Sequence, residues 1–310
     1  MKCVLQVIRA SRDRILLFCD GHHIIALHFH WKIFKSTKDN DKVEMGLTMK
    51  KLCVILMGIG ALCLSTLAQA EADPQLWTVV KEAFFPKRDI QEVDFLKIDA
   101  PRRAESGAQV PVTLSYDKAA ANGVVIKKLY VIVDANPIQL ASTYHLTDQL
   151  NGFQMATRIR QETDSFVRLI GESADGKLYM TKREIRAAGG CGGTVDNNEA
   201  EVRAAAGKIK MSVAAPKMGE PATVTFNIKH VMRTGLQRDL VSQGYVPAFY
   251  INKTTFTYNG KELMTVDVGV GTSEDPYMKF SFIPDAPGKL EVVATDNEGK
   301  SFTHSVDVSS

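Results

Sequence analysis

The chain has 310 residues, 45% of them apolar and 24% charged, with a formal net charge of +3. These values suit a soluble globular protein of one to three domains. The positive excess sits in the first seventy residues, so the remainder offers no basic surplus of the kind that nucleic-acid binding needs.

Residues 49–70 read Met49-Lys50-Lys51, then an apolar run from Leu52 to about Leu67, then Ala68-Gln69-Ala70. A lysine pair, a short apolar core and a small-x-small end make a secretory signal, and the run is short for a membrane span. Residues 1–48 precede this complete signal and are read as an upstream extension or a mis-called start. Their histidines (His22, His23, His28, His30) carry no assignment. Cleavage after Ala70 leaves 28 Lys/Arg against 30 Asp/Glu and places the protein in the periplasm. It also removes Cys3, Cys19, Cys53 and Cys63, leaving Cys191 alone. A single thiol in an oxidising compartment is buried and inert, paired with another molecule, or reactive by purpose.

Asp73-Pro74 then opens a short amphipathic helix carrying Leu76, Val79, Val80 and Phe84 and ending near Phe85. Beyond Pro86 the pattern changes to strands. Val110–Leu114, Val124–Val133, Phe166–Ile170 and Lys177–Ile185 are β-rich, the last two separated by the turn pair Asp175-Gly176. In the second half Ala222, Val224, Phe226 and Ile228 alternate with polar residues. Met264, Val266, Val268 and Val270 repeat this after Asn259-Gly260, and Leu290–Val293 and Ser301–Val308 flank Asp296-Asn297-Glu298-Gly299. Short period-2 strands between regular turns predict a mainly β fold: two immunoglobulin-like antiparallel β-sandwich domains, a short N-terminal helix, and a glycine-rich joint. The expected boundaries are 71–188 for the first domain, 189–206 for the joint and 207–310 for the second domain.

The joint contains Gly189-Gly190-Cys191-Gly192-Gly193. Four glycines without β-carbons predict a flexible arm on which Cys191 stands clear of bulky neighbours and can enter a partner. The plainer readings are a linker that happens to hold a cysteine, or a bulge packed on a sheet. No base stands within two positions of Cys191, and Lys182, Arg183 and Arg186 are the upstream cations that can act on it through space. An enzyme assembles a base and an oxyanion site around its nucleophile, whereas a carrier needs only an accessible sulfur. His145, His230 and His304 lack metal-ligand spacing, and no nucleophile elbow, zinc-protease, P-loop or dinucleotide signature occurs. No catalytic residue, metal or cofactor is therefore assigned.

Several segments together resemble the sulfur-oxidation carrier SoxYZ. Residues 100–105, Val110-Pro111-Val112, Asp134-Ala135-Asn136-Pro137, Thr157-Arg158-Ile159-Arg160 and Asp175–Tyr179 are similar to SoxY landmarks, and Gly189–Gly193 to its GGCGG arm. His230–Gly235, Tyr245–Phe249, Ser273–Tyr277 and Asp296–Gly299 resemble SoxZ. The resemblance implies a non-enzymatic carrier with Cys191 as the substrate-bearing residue. A haem enzyme of the c-type cytochrome class would load thiosulfate-derived sulfur, and a hydrolase would trim it. In SoxY the arm ends the chain, whereas here it continues into the second half. The pattern is thus most similar to fused SoxYZ-like carriers associated with quinoprotein dehydrogenases. The alternative is a non-covalent docking module for such a dehydrogenase or its cytochrome, and a third reading is a thiol that forms an intermolecular disulfide.

Overall fold

The computed structural model describes residues 6–11, 14–19, 23–28, 72–150, 152–195, 198–214 and 216–309. The chain separates into two compact units, residues 1–68 and 69–310. In the first, β1 (Gln6–Ser11), β2 (Arg14–Cys19) and β3 (His23–His28) form a three-stranded antiparallel meander. The proposed export signal lies outside the described residues.

The second unit is mainly β. Its first half contains helix α1 (Leu76–Phe84), β4 (Ile90–Glu92), β5 (Leu96–Asp99), β6 (Val110–Tyr116), β7 (Ile126–Val133), β8 (Leu140–Leu146), β9 (Phe153–Ile159), β10 (Ser165–Ser173) and β11 (Leu178–Ile185). Then come β12 (Thr194–Val195) and α2 (Glu199–Ala205). The second half contributes β13 (Ile209–Ala214), β14 (Ala222–Ile228), β15 (Arg238–Asp239), β16 (Ile251–Tyr258), β17 (Lys261–Val268), β18 (Tyr277–Phe282), β19 (Gly288–Asp296) and β20 (Ser301–Val308).

Each half is a sandwich, and the sheets of the two halves join edge to edge. One sheet runs β20-β19-β16-β17-β8-β7-β10-β11-β4 and the other β13-β14-β18-β9-β6-β5. The seam is made by β17 on β8, with Val266 opposite Tyr144, and by β18 on β9, with Phe280 opposite Met155. One apolar core runs through both halves, from Leu114, Leu129 and Val167 to Phe226, Phe256 and Leu290. Close approach at the seam requires glycine: a β-carbon on Gly269 would lie 2.8 Å from the carbonyl oxygen of Leu140, and one on Gly271 would lie 2.9 Å from the Ala141 Cα.

The alternation reads out directly in β14, whose residues are alternately buried and half-buried. By contrast β7 and β10 are buried on both faces over part of their length. The cause is α1: Val80 and Phe85 pack on Ile132, Ile170, Leu178 and Met180, covering the outer face of the long sheet. The helix begins later than expected. Asp73 accepts a hydrogen bond from the Gln75 N–H, but no side chain caps the helix itself. Trp77 of α1 lies over the Arg168 guanidinium, 4.1 Å from ring centroid to Cζ. Arg168 in turn forms a buried bidentate pair with Asp134, with Nη2 2.7 Å from Oδ2. Among the described residues no helix is long and apolar enough to cross a membrane.

Candidate functional site

Cys191 lies on the segment that leaves β11 and crosses from the first half to the second. Its surroundings are built mainly by the turn after β9. There Asn136 accepts the Glu162 N–H through Oδ1 at 2.9 Å and donates from Nδ2 to the Arg160 carbonyl at 2.9 Å. This clamp presents two ionic side chains to the segment. Glu162 Oε2 accepts the Cys191 N–H at 2.6 Å and the Gly192 N–H at 3.3 Å. Arg160 donates from Nη1 to the Gly190 carbonyl at 3.0 Å, from Nε to the Thr272 carbonyl at 3.2 Å and from Nη2 to the Met232 carbonyl at 3.1 Å. A single buried guanidinium thus ties the cysteine segment and two loops of the second half together.

The second half holds the other side of the segment. Thr234 Oγ1 donates to the Cys191 carbonyl at 2.7 Å. The Arg238 N–H donates to the Gly193 carbonyl at 2.9 Å, and β12 pairs in parallel with β15. Leu240 and Val241, in the turn after β15, are exposed, Val241 by 90%.

The expected free arm is therefore not what the structure holds. Cys191 is 5% exposed and unpaired with another cysteine. The reason is that the backbone polar groups around it find partners in both halves, so docking satisfies donors and acceptors that an arm would leave to water. The four glycines also differ in what they do. A β-carbon on Gly190 would collide with the Gly107 carbonyl oxygen and stand 2.5 Å from that of Gln161, so this glycine permits close packing. Gly189 and Gly193 take positive φ, 72° and 100°, the left-handed region where glycine is favoured. Gly192 has nearly open space at its β-carbon position. Flexibility is not their common property; Gly190 is a packing residue.

Burial first, and then the Glu162 carboxylate, push the Cys191 thiol up to about 11, while the Arg160 charge pulls it down. Burial lowers the Arg160 guanidinium from its ordinary value, and the charges of Cys191 and Glu274 raise it. The cation acting on the thiol is thus Arg160. Of the upstream cations considered from sequence, Lys182 pairs with Glu92 at 2.7 Å, and Arg183 and Arg186 line a separate cleft. Sequence reasoning did not single out Arg160, Glu162 or Thr234 as neighbours of the thiol. Arg160 and Thr234 nevertheless fall within segments that it had marked.

The three histidines are not brought together. His145 of β8 pairs with Asp267 of β17 at 2.6 Å across the seam. His230 is buried against Phe249, its Nδ1 accepting the Met232 N–H. His304 is exposed on β20.

The family model of the sulfur oxidation protein SoxY matches residues 81–191, ending on the cysteine, and that of the sulphur oxidation protein SoxZ matches residues 209–307. The chain is a fused SoxY–SoxZ protein. The seam through both sheets is thus the junction of a SoxY half and a SoxZ half. The solved sulfur carrier protein SoxY from Chlorobium limicola f thiosulfatophilum is 23% identical. That match covers 36% of this chain and 92% of that one, at a TM-score of 0.31. A β-glycosidase from Bacteroides vulgatus is 9% identical over 70% of this chain and 25% of that one, at a TM-score of 0.20. The D00-D0 domain of intimin is 11% identical over 69% of this chain and 100% of that one, at 0.19. No curated protein matches the chain.

Proposed function

We propose that this protein is a periplasmic covalent carrier of sulfur-containing intermediates, loaded and unloaded at Cys191 by partner enzymes rather than acting as an enzyme itself. The observation that carries this reading is the position of Cys191. The one cysteine beyond the proposed signal stands where the SoxY match ends, on a segment held by Glu162 and Thr234 from opposite halves. In loading with a thiosulfate-type anion, the thiol and the terminal sulfur of the anion would form an S–S bond. The thiol proton would leave to solvent, and two electrons would pass to c-type haem of the partner in two one-electron steps, one per haem iron. The thiol would ionise once the segment opens and burial no longer holds it up, and the SoxZ half would serve as a permanent scaffold. The exposed Leu240 and Val241 beside β12 suit a surface that such a partner covers.

The burial of Cys191 supports a second reading, a non-covalent docking module for a quinoprotein dehydrogenase or its cytochrome. Intact mass of protein isolated from its native compartment separates the two. Sulfur or sulfur-oxyanion increments that map to Cys191 support carriage. A homogeneous unmodified thiol during growth on a reduced sulfur source overturns it in favour of docking, and a doubled mass that collapses on reduction indicates a disulfide dimer.

A further inference from the structure

A second polar site lies on the SoxY half, upstream of the cysteine. β4 pairs with β11 only at residues 178–180, and further along β11 the neighbouring position is taken by residues 102–104. The Arg186 N–H donates to the Arg102 carbonyl and the Ala104 N–H to the Arg186 carbonyl, both at 2.9 Å. Arg183 and Glu184 lie on the stretch of β11 between those two pairings. The result is a cleft of about 450 Å³ whose lining among the described residues includes Arg102, Arg103, Arg183, Glu184 and Arg186.

Such a concentration of like charge is costly unless it is solvated or neutralised by an anion. One donor is closed off from water in this state: Arg183 Nε is buried without a hydrogen-bond partner, although Nη2 of the same group reaches the Ala100 carbonyl at 3.3 Å. A guanidinium fork presents paired N–H donors that match the oxygens of a tetrahedral oxyanion. We infer that this cleft binds a divalent sulfur or phosphorus oxyanion through Arg102, Arg103 and Arg183. Its volume leaves room for the rest of a larger ligand behind the anionic head. Arg186 stands five residues before Cys191, so the site lies within roughly 17 Å of chain from the thiol. If Cys191 is loaded as proposed above, the cleft would hold a sulfur oxyanion within reach of the carrier segment. That purpose rests on the carrier reading; the binding itself does not.

The full chain, titrated calorimetrically with sodium sulfate, sodium thiosulfate and sodium phosphate in low-salt buffer, tests the site. The expected result is saturable one-site binding of at least one dianion, weakening as sodium chloride is added. It should weaken about tenfold or more in Arg102→Ala/Arg103→Ala, whose residues are exposed and leave the core intact, and in Arg183→Gln. Cys191→Ser should bind like the parent, so loss of carriage and loss of the anion site remain distinguishable. A preference for thiosulfate over phosphate assigns the cleft to sulfur anions, and the reverse to phosphorus anions. No saturable binding of any dianion by the parent overturns the proposal. So does binding that the double arginine variant leaves unchanged, or saturable binding of hexaglutamate alone, which would make the cleft a protein-docking patch.

Discussion

If Glu162 holds the cysteine segment closed, Glu162→Gln should open it without unfolding the protein. Glu162 Oε2 receives two backbone N–H groups, at 2.6 and 3.3 Å, and its charge helps raise the thiol. A hydrogen bond to a charged acceptor contributes about 1.5–3 kcal/mol and a neutral one about 1, so the exchange should weaken docking by on the order of 1–2 kcal/mol. That corresponds to an opening equilibrium raised roughly tenfold. The assay is pseudo-first-order labelling by a thiol-exchange reagent at pH 8. A docked thiol at about 11 is three units above this pH and only about one part in a thousand ionised. A solvated cysteine near the ordinary ~8.5 is about a quarter ionised, so labelling should pass through the open segment. The parent should label far more slowly than a free thiol and the variant about tenfold faster, with the global melt unchanged. Parent labelling as fast as free cysteine, or identical rates in parent and variant, would refute the latch.

The glycines give a second test of docking: Gly190→Ala should raise the labelling rate at least tenfold, because its new methyl collides with the Gly107 carbonyl, whereas Gly192→Ala should label like the parent. Asp134→Asn should leave Arg168 buried beneath Trp77 without its counter-charge, costing about 3–5 kcal/mol and lowering Tm by on the order of 10 °C in calorimetry. His230 is held down to about 4 by burial, against the opposing charges of Asp296, Asp275 and Glu298. The unfolded chain therefore binds more protons between about 6.5 and 4, and stability should fall as pH drops through that window. His230→Gln should flatten this acid slope in urea melts at stepped pH, and an unchanged slope would assign it to other groups. For Cys191 the sign reverses: its raised value favours the folded state at neutral pH, and that preference should be lost as pH rises from about 9 towards 11. Labelling of the parent should rise over that range more steeply than that of a free thiol. Cleavage at a protease site inserted after Val195 should leave the halves together on gel filtration, since β8·β17 and β9·β18 and one core join them. Two separate monomer peaks would show that the seam is not an interface.

Much of the fold was legible because period-2 burial is a local property. Ala222–Ile228 and Ser301–Val308 appear as β14 and β20 with the boundaries that alternation gives them. The strands that alternation did not single out include β8 and β9, which are hydrogen-bonded on both sides and meet the SoxZ half along one edge. A single half carries no record of what lies across its edge. Gly269 and Gly271 are seam residues for the same reason: their role is fixed by Leu140 and Ala141, about 130 positions away. The candidate site divides similarly. Cys191 and its glycines were visible as a local cluster, but the burial of the thiol was not. It depends on Glu162, 29 residues upstream, and Thr234, 43 downstream. Four flanking glycines, two on each side of Cys191, suggest flexibility only while nothing offers their backbone a partner. Here Gly107, Gln161 and Glu162 lie close enough to do so.

The fusion changes what a partner of Cys191 would have to look like. The last backbone-to-backbone anchor before Cys191 is Gly189, whose N–H donates to the Glu162 carbonyl at 2.8 Å, and Cys191 lies two residues further on. Two extended residues reach about 7 Å, whether or not the chain continues beyond them. The second tether therefore costs little reach, but it changes the cross-section. A chain end can enter a tunnel as a single strand, whereas a cysteine at the tip of a loop brings two chain segments with it. Adjacent strands in a sheet stand about 4.8 Å apart before side chains are counted. Only glycines and Thr194 flank the tip closely, so the loop is as thin as two segments can be, yet it still demands an open groove. The insertion after Val195 measures this directly. If the loading partner has a tunnel, cleavage should greatly accelerate loading of Cys191 by freeing an end. If it has a groove shaped for the loop, loading should be unchanged or slower, because the cut end is no longer held by β12 against β15. An acceleration on cleavage would refute the groove and imply that the fused chain is processed before it works.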